Sequence, residues 1–265
     1  MKFMKSEKRR SIAENGERLK IHISPTKNEV GQNAAEKASV ILRDTLARKS
    51  KSRFIAATGA SQFEFLDYLC ESESIDWSRT EMFHLDEYIG IPATHPASFR
   101  KYLSERLVQR VHPGTVHYIE GDSSNPADEV KRVSNLISKV IVDVAFIGIG
   151  ENGHLAFNDP PADFVTEDPY IIVDLDDKCR RQQVGEGWFA SVDEVPQRAI
   201  SMSVKQITRS EVIICTCPDK RKAMAVRDCL SVDSPVTPLH PASILKTHPQ
   251  AYVFLDTESA SLLRQ

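Results

Sequence analysis

Charge of one sign is scarce in this chain. It has 34 Lys and Arg against 37 Asp and Glu in 265 residues, a formal net charge of -3. That gives no electrostatic footprint for nucleic acid or for an anionic membrane, so no nucleic-acid partner and no membrane are expected. Long apolar runs are absent too, since nothing approaches the roughly 18 residues of a membrane span. The opening MKFMKSEKRRSIAENGERLK surrounds no apolar core, which argues against a signal or transit peptide. Residues 1–20 read as a flexible or surface segment. The five cysteines, Cys70, Cys179, Cys215, Cys217 and Cys229, lack C-x-x-C spacing and are odd in number. Neither a disulfide framework nor a zinc site is indicated, and a reducing cytoplasm fits. No linker-like stretch divides the chain, so residues 1–265 are expected to form a single domain.

What is present is an alternation of two periodicities. Ile21–Ser24 reads as an edge strand, and Ala34, Ala38, Ile41, Leu42 and Leu46 recur at helical spacing. Phe54–Ala57, Thr80–Leu85, Val116–Ile119 and Val144–Ile147 are strand-length apolar runs, with helical stripes between them beginning at Phe65, Phe99 and Val130. Tyr170–Val173, Ala199–Val204, Val212–Cys217 and Ala251–Leu255 continue the strands, and Asp177–Trp188 and Asp219–Leu230 the helices. The pattern predicts an α/β fold with a mostly parallel sheet and helices on both faces.

Chemistry is expected at Asp143–Asp159, DVAFIGIGENGHLAFND. Val144–Ile147 lacks alternation, as a strand buried on both faces does, and Gly148, Gly150 and Gly153 loosen the backbone where it ends. Ligands of parallel sheets bind at the carboxyl ends of strands, which puts His154, Asn158 and Asp159 where a site belongs. The glycines also spell G-x-G-x-x-G, with Asp174 and Asp176 downstream. That fingerprint needs a helix opening at Gly153, and Pro160 and Pro161 fall inside its first turns. A dinucleotide site is therefore rejected.

Three further stretches qualify. Thr58, Gly59, Ala60 and Ser61 join a strand to a helix, so they form either an anion site or an ordinary tight turn. Asp86 and Glu87 end a strand and must point oppositely, so one works while the other is solvated or structural. His84 shares a face with Asp86 but has no third ligand, so no metal is expected, and His95, His112 and His117 read as loop and surface residues. Lys220, Arg221 and Lys222 oppose the dipole of the helix they open, which marks an anion site for one of them and a solvated face for the other two.

These pieces together resemble the glucosamine-6-phosphate deaminase (isomerase) family, which shares its fold with 6-phosphogluconolactonases. The match covers nearly everything after about Gln32. It rests on TGAS at Thr58–Ser61, LDEY at Leu85–Tyr88, GHLAFND at Gly153–Asp159, Arg181, Lys222 and the closing SPVTPLHPASIL. The lactonase branch typically has D-E-R at 86–88 and S-L-F-P after the G-H, and this chain has neither. The resemblance implies a modified Rossmann-like fold and a substrate phosphate held by Thr58–Ser61 with Arg181 and Lys222. It implies Asp86 as the base moving a proton between C2 and C1, and His154 as the ring-opening group aided by carboxylates, with no metal or organic cofactor. The family usually has aspartate at the position of Asn152 and glutamate at that of Asp159, and an amide at 152 supports an imidazolium less than a carboxylate does. The expected reaction converts glucosamine 6-phosphate to fructose 6-phosphate and ammonia. A galactosamine 6-phosphate deaminase, a lactonase-like hydrolase and a silent sugar-phosphate sensor stay open, and a homo-oligomer is allowed for.

Overall fold

Alternate residues of the central strands go to opposite layers, and this organises the molecule. In the computed structural model, which describes residues 19–264, Phe54 and Ala56 of β2 (Ser52–Ala56) and Val144 and Phe146 of β6 (Val144–Ile147) enter one apolar layer. Ile55, Ala145 and Ile147 enter the other, as the two-residue period of a strand dictates. The expectation for residues 1–20 lies almost wholly outside the described residues.

The main sheet has seven strands in the order β1-β10-β9-β6-β2-β3-β5, and every pairing in it is parallel. β1 (Lys20–Ser24) and β5 (Thr115–His117) form its edges, and β3 (Thr80–His84), β9 (Val212–Thr216) and β10 (Ala251–Asp256) lie inside. The chain runs from β2 outward through β3 to β5, returns to β6 on the other side of β2, and continues outward through β9 and β10. Strand order therefore reverses between β2 and β6, which opens a crevice at their carboxyl ends.

Helices cover both faces. α1 (Lys27–Arg48), α2 (Phe63–Cys70) and α3 (Phe99–Leu103) pack on the Phe54 layer, and α3 runs through a wide π turn, Ser104–Val108, into the short α4 (Gln109–Val111). α5 (Pro126–Ile137) and α8 (Ala223–Leu230) pack on the Ile55 layer. α1 starts earlier than its apolar stripe suggests, because Thr26 and Glu29 form a capping box, with Glu29 N–H donating to Thr26 Oγ1 at 3.2 Å and Thr26 N–H to Glu29 Oε2 at 3.3 Å.

The mostly parallel sheet with helices on both faces is as expected, and three strands lie outside it. β4 (Asp86–Tyr88), β7 (Tyr170–Asp174) and β8 (Arg198–Met202) leave the parallel sheet and form a separate three-stranded antiparallel sheet, ordered β4-β8-β7. It is built onto the same core, since Tyr170, Ile200 and Met202 pack with Ile55, Phe83 and Ile147. α6 (Asp177–Gly185) and the short α7 (Val204–Thr208) flank it in sequence.

Candidate active site

Four connections meet over the reversal point. They follow β2 (Thr58–Ser61), β3 (Leu85 and Asp86), β6 (Gly148 to Phe157) and β9 (Lys222), and together with Gln182, Gln183 and Glu186 from the end of α6 they line one cleft.

At one end of the cleft Gly59 has φ 96°, a conformation that favours glycine. Among the described residues the N–H groups of Gly59, Ala60 and Ser61 donate to no side chain or turn carbonyl, which leaves them free for an anion. Lys222 is 4% exposed, lines the same cleft and has no carboxylate partner among the described residues. Its turn is held by Asp219, at φ 90°, whose backbone N–H donates to Asp256 Oδ2 at 3.0 Å and whose Oδ1 accepts the Arg221 N–H at 3.0 Å. Lys220 and Arg221 are exposed, so of the three cations only Lys222 reaches the cleft. Arg181 does not join it. It is exposed and lines an outer groove with Lys178 and Arg221, because the phase of α6 turns Gln183 and Glu186 toward the cleft and Arg181 away.

His154 lines the middle of the cleft. Its Nδ1 lies 3.0 Å from Asp159 Oδ1, the same oxygen that accepts Asn152 Nδ2–H at 2.9 Å, while Asn152 Oδ1 accepts the His154 backbone N–H at 3.1 Å. Asn152 and Asp159 thus stand behind the imidazole, and the amide clamps the loop and the carboxylate rather than the ring. Burial acts to raise the Asp159 carboxyl, but hydrogen bonds from His154, Asn152 and the Asp176 N–H outweigh it and hold Asp159 below the ordinary aspartate range. A Cβ at Gly150 would land inside the imidazole, so only glycine lets the ring occupy this place. No helix opens at Gly153, and Asn158 is a structural staple donating to the Leu155 and Met202 carbonyls at 2.7 and 2.8 Å.

Asp86 and Glu87 point to opposite faces of β4. Glu87 is fully buried and accepts hydrogen bonds from the N–H groups of Tyr88, Phe99 and Arg100 and from the Ser98 hydroxyl, at 2.8 to 3.1 Å. It is structural, anchoring the start of α3. Asp86 is 5% exposed and lines the cleft, and its Oδ1 is buried without a hydrogen-bond partner. Burial, and next the charge of Glu87, pushes the Asp86 carboxyl well above its ordinary range. An orphaned, desolvated carboxyl facing a cleft is an ordered cost that a substrate can relieve.

His84 pairs with no metal ligand. It is fully buried, and burial, with Arg100 second, pushes it down to about 3, so the ring is neutral. His112 is exposed. His117 differs from its expected surface place, lying on β5 with Nε2 2.9 Å from Glu81 Oε1. His154, Asp159 and Cys179 offer ligand atoms within 4.8 Å of one another. Burial, with Asp159 and Asp176 nearby, drives the Cys179 thiol far above its ordinary range.

Sequence reasoning missed Gln182, Gln183 and Glu186. The usable signal was spacing: Gln182 and Glu186 lie one helical turn apart and share a face, whereas Arg181, the residue chosen, is out of phase with it.

The reversal-point cleft gathers a carboxyl, a histidine–carboxylate pair and free backbone N–H groups with a lysine, groups able to move protons and to hold an anion. Comparison narrows the class: the chain belongs to the glucosamine-6-phosphate isomerase/6-phosphogluconolactonase family, whose model matches residues 25–254. A glucosamine-6-phosphate deaminase of Streptococcus uberis is 32% identical over 235 residues, 88% of this chain and 96% of the relative. One from Streptococcus pneumoniae is 33% identical over 225 residues, 85% and 92% of the two chains. A solved monomeric glucosamine-6-phosphate deaminase superposes with TM-score 0.82 at 28% identity, covering 92% of this chain and 100% of that one. A 6-phosphogluconolactonase from Thermotoga maritima, at TM-score 0.73 and 19% identity over 89% and 99% of the chains, shares the fold.

Proposed function

We propose that this protein is a glucosamine-6-phosphate deaminase, acting without metal or organic cofactor on a sugar phosphate whose anion lies between the Thr58–Ser61 amides and Lys222. The observation that carries the reading is Asp86: a buried carboxyl with an orphaned oxygen, in the cleft and on the opposite face from a fully bonded neighbour. Opening the pyranose moves the anomeric hydroxyl proton to the ring oxygen, and His154, braced by Asp159, relays it. Asp86 takes the C2 proton and returns it to C1, while the amine gives up one proton and the aldehyde oxygen takes one up, which converts the aldehyde and C2 amine to a C2 imine beside a C1 alcohol. Water adds to C2, ammonia leaves, and the ketose phosphate remains. A raised carboxyl suits this step, since a base works best with its pKa near the operating pH.

The relatives at 32–33% identity are deaminases by name, which supports deamination over lactone hydrolysis. No described helix is long and apolar enough to cross a membrane, and five free cysteines favour a reducing cytoplasm. The deciding experiment is ammonia release from glucosamine, galactosamine and mannosamine 6-phosphates, beside hydrolysis of 6-phosphogluconolactone. Release from the glucosamine ester, with no lactone turnover, is expected. Lactone hydrolysis without ammonia would overturn the proposal.

A further inference from the structure

We infer that Glu186 selects the singly charged form of the substrate phosphate, an inference that rests on the sugar-phosphate reading above. The cleft is lined by one cation, Lys222, and by two carboxyls, Asp86 and Glu186; Arg181 lies outside it. Glu186 is fixed in place: Oε1 accepts Gln182 Nε2–H at 2.8 Å and Oε2 accepts the Trp188 indole N–H at 3.2 Å. The Trp188 ring stands edge-on to Tyr102, 6.4 Å between centroids at 75°, and the Tyr102 hydroxyl donates to the Gly59 carbonyl at 3.0 Å. This chain of contacts ties the carboxylate to the turn whose amides are free for an anion.

A phosphate monoester loses its second proton at about pH 6, so at neutral pH most free substrate is dianionic. A dianion beside Lys222 and the Glu186 carboxylate meets one attraction and one repulsion. The monoanion keeps a P–O–H that donates to Glu186, which turns the repulsion into a charge-assisted hydrogen bond. The other charged and titratable groups that line the cleft are Lys222 from the turn before α8, His154 from the loop after β6 and Asp86 from β4, with Arg221 and Glu151 in the adjoining outer groove. Protonation at His154 or Asp86 could also make binding depend on pH, so the test must separate them from Glu186.

The probe is 1,5-anhydroglucitol 6-phosphate, which has no amine and no anomeric hydroxyl and so reports the phosphate end alone. Its dissociation constant, measured by calorimetry from pH 6 to 8, should weaken about tenfold per unit above the ester's second pKa in the wild-type protein, the limit for binding one protonation state. In Glu186→Gln the dependence should flatten, and binding at pH 8 should tighten at least tenfold. Dependence that survives in Glu186→Gln belongs to another group of the cleft, such as His154 or Asp86, and overturns the inference, as does unchanged affinity at pH 8. An ester that binds neither protein, while unphosphorylated glucosamine is deaminated, overturns the sugar-phosphate reading itself, and this inference with it.

Discussion

Replacing Asn152 by Asp restores the acid that relatives of this family usually carry, and the structure reverses what the sequence leads one to expect of it. The Asn152 amide nitrogen donates to Asp159 Oδ1 at 2.9 Å. Asn152→Asp replaces that donor with an oxygen, so two carboxylates would stand about 3 Å apart. With an effective dielectric near 20 their repulsion is about 5 kcal/mol, and the bond lost to a charged acceptor adds about 1.5 to 3 kcal/mol. Proton uptake by the pair relieves most of this, and the protonated carboxyl can then donate as the amide did. The pair therefore titrates together, with one member raised well above an ordinary aspartate. For a carboxyl raised in the folded state, the folded protein holds more protons than the unfolded one, so stability is retained at low pH and lost as pH rises. Asn152→Asp should cost about 2 to 4 kcal/mol at pH 8 and about 1 kcal/mol or less at pH 5, read from urea midpoints of both proteins. Ammonia release should slow, because Asp159 then accepts a proton that the wild type leaves to His154. A stability difference that does not change with pH, or faster ring opening at neutral pH, would refute this account.

Three other outcomes follow from the same geometry. Asp86→Asn should lower kcat roughly 10²- to 10⁴-fold while leaving KM nearly unchanged, and it should stabilise the fold at neutral pH, because it removes a carboxyl that burial holds above its unfolded pKa; a destabilised mutant with full activity would exclude Asp86 as the base. Lys222→Ala should weaken substrate binding by about 1.5 to 3 kcal/mol, seen as a raised KM in a protein with unaltered circular dichroism. His84 is pushed down to about 3 in the fold, so the unfolded chain takes up its proton first and stability declines as pH falls from about 6.5 toward 3. His84→Gln should blunt that decline in acid titrations, and an unchanged acid midpoint would show that His84 is not its source.

The parallel sheet was legible because its inner strands are short apolar runs buried on both sides, and β6 matches its expected bounds, Val144–Ile147. The antiparallel sheet was not. Tyr170–Asp174 is as apolar as a buried strand, yet one face is open, with Ile172 38% exposed, so composition misreported its surroundings. Thr26 and Glu29 signalled the start of α1 before any apolar stripe began, and that signal went unread. Lys222 was legible as a cation where the helix dipole disfavours one. Arg181 and Glu186 were not, because a motif names a residue type, whereas entry to the cleft is decided by helical phase, which one residue changes by about 100°.

Asp86 and Glu87 show how adjacent residues of the same chemistry acquire opposite work. A strand turns them to opposite faces, so each meets a different supply of donors. Glu87 meets three backbone N–H groups and the Ser98 hydroxyl at the opening of α3, and becomes a fixed anchor. Asp86 faces the cleft, with one oxygen lacking any partner among the described residues. Giving Asp86 the donors of its neighbour would stabilise its anion and lower its affinity for a proton, and so weaken it as a base. Its poverty of contacts is therefore what fits it to remove a proton from carbon. The three bonds that Ser98, Phe99 and Arg100 give Glu87 tie β4 to the start of α3, so that this uncomfortable carboxyl stays aimed at the cleft rather than turning toward solvent.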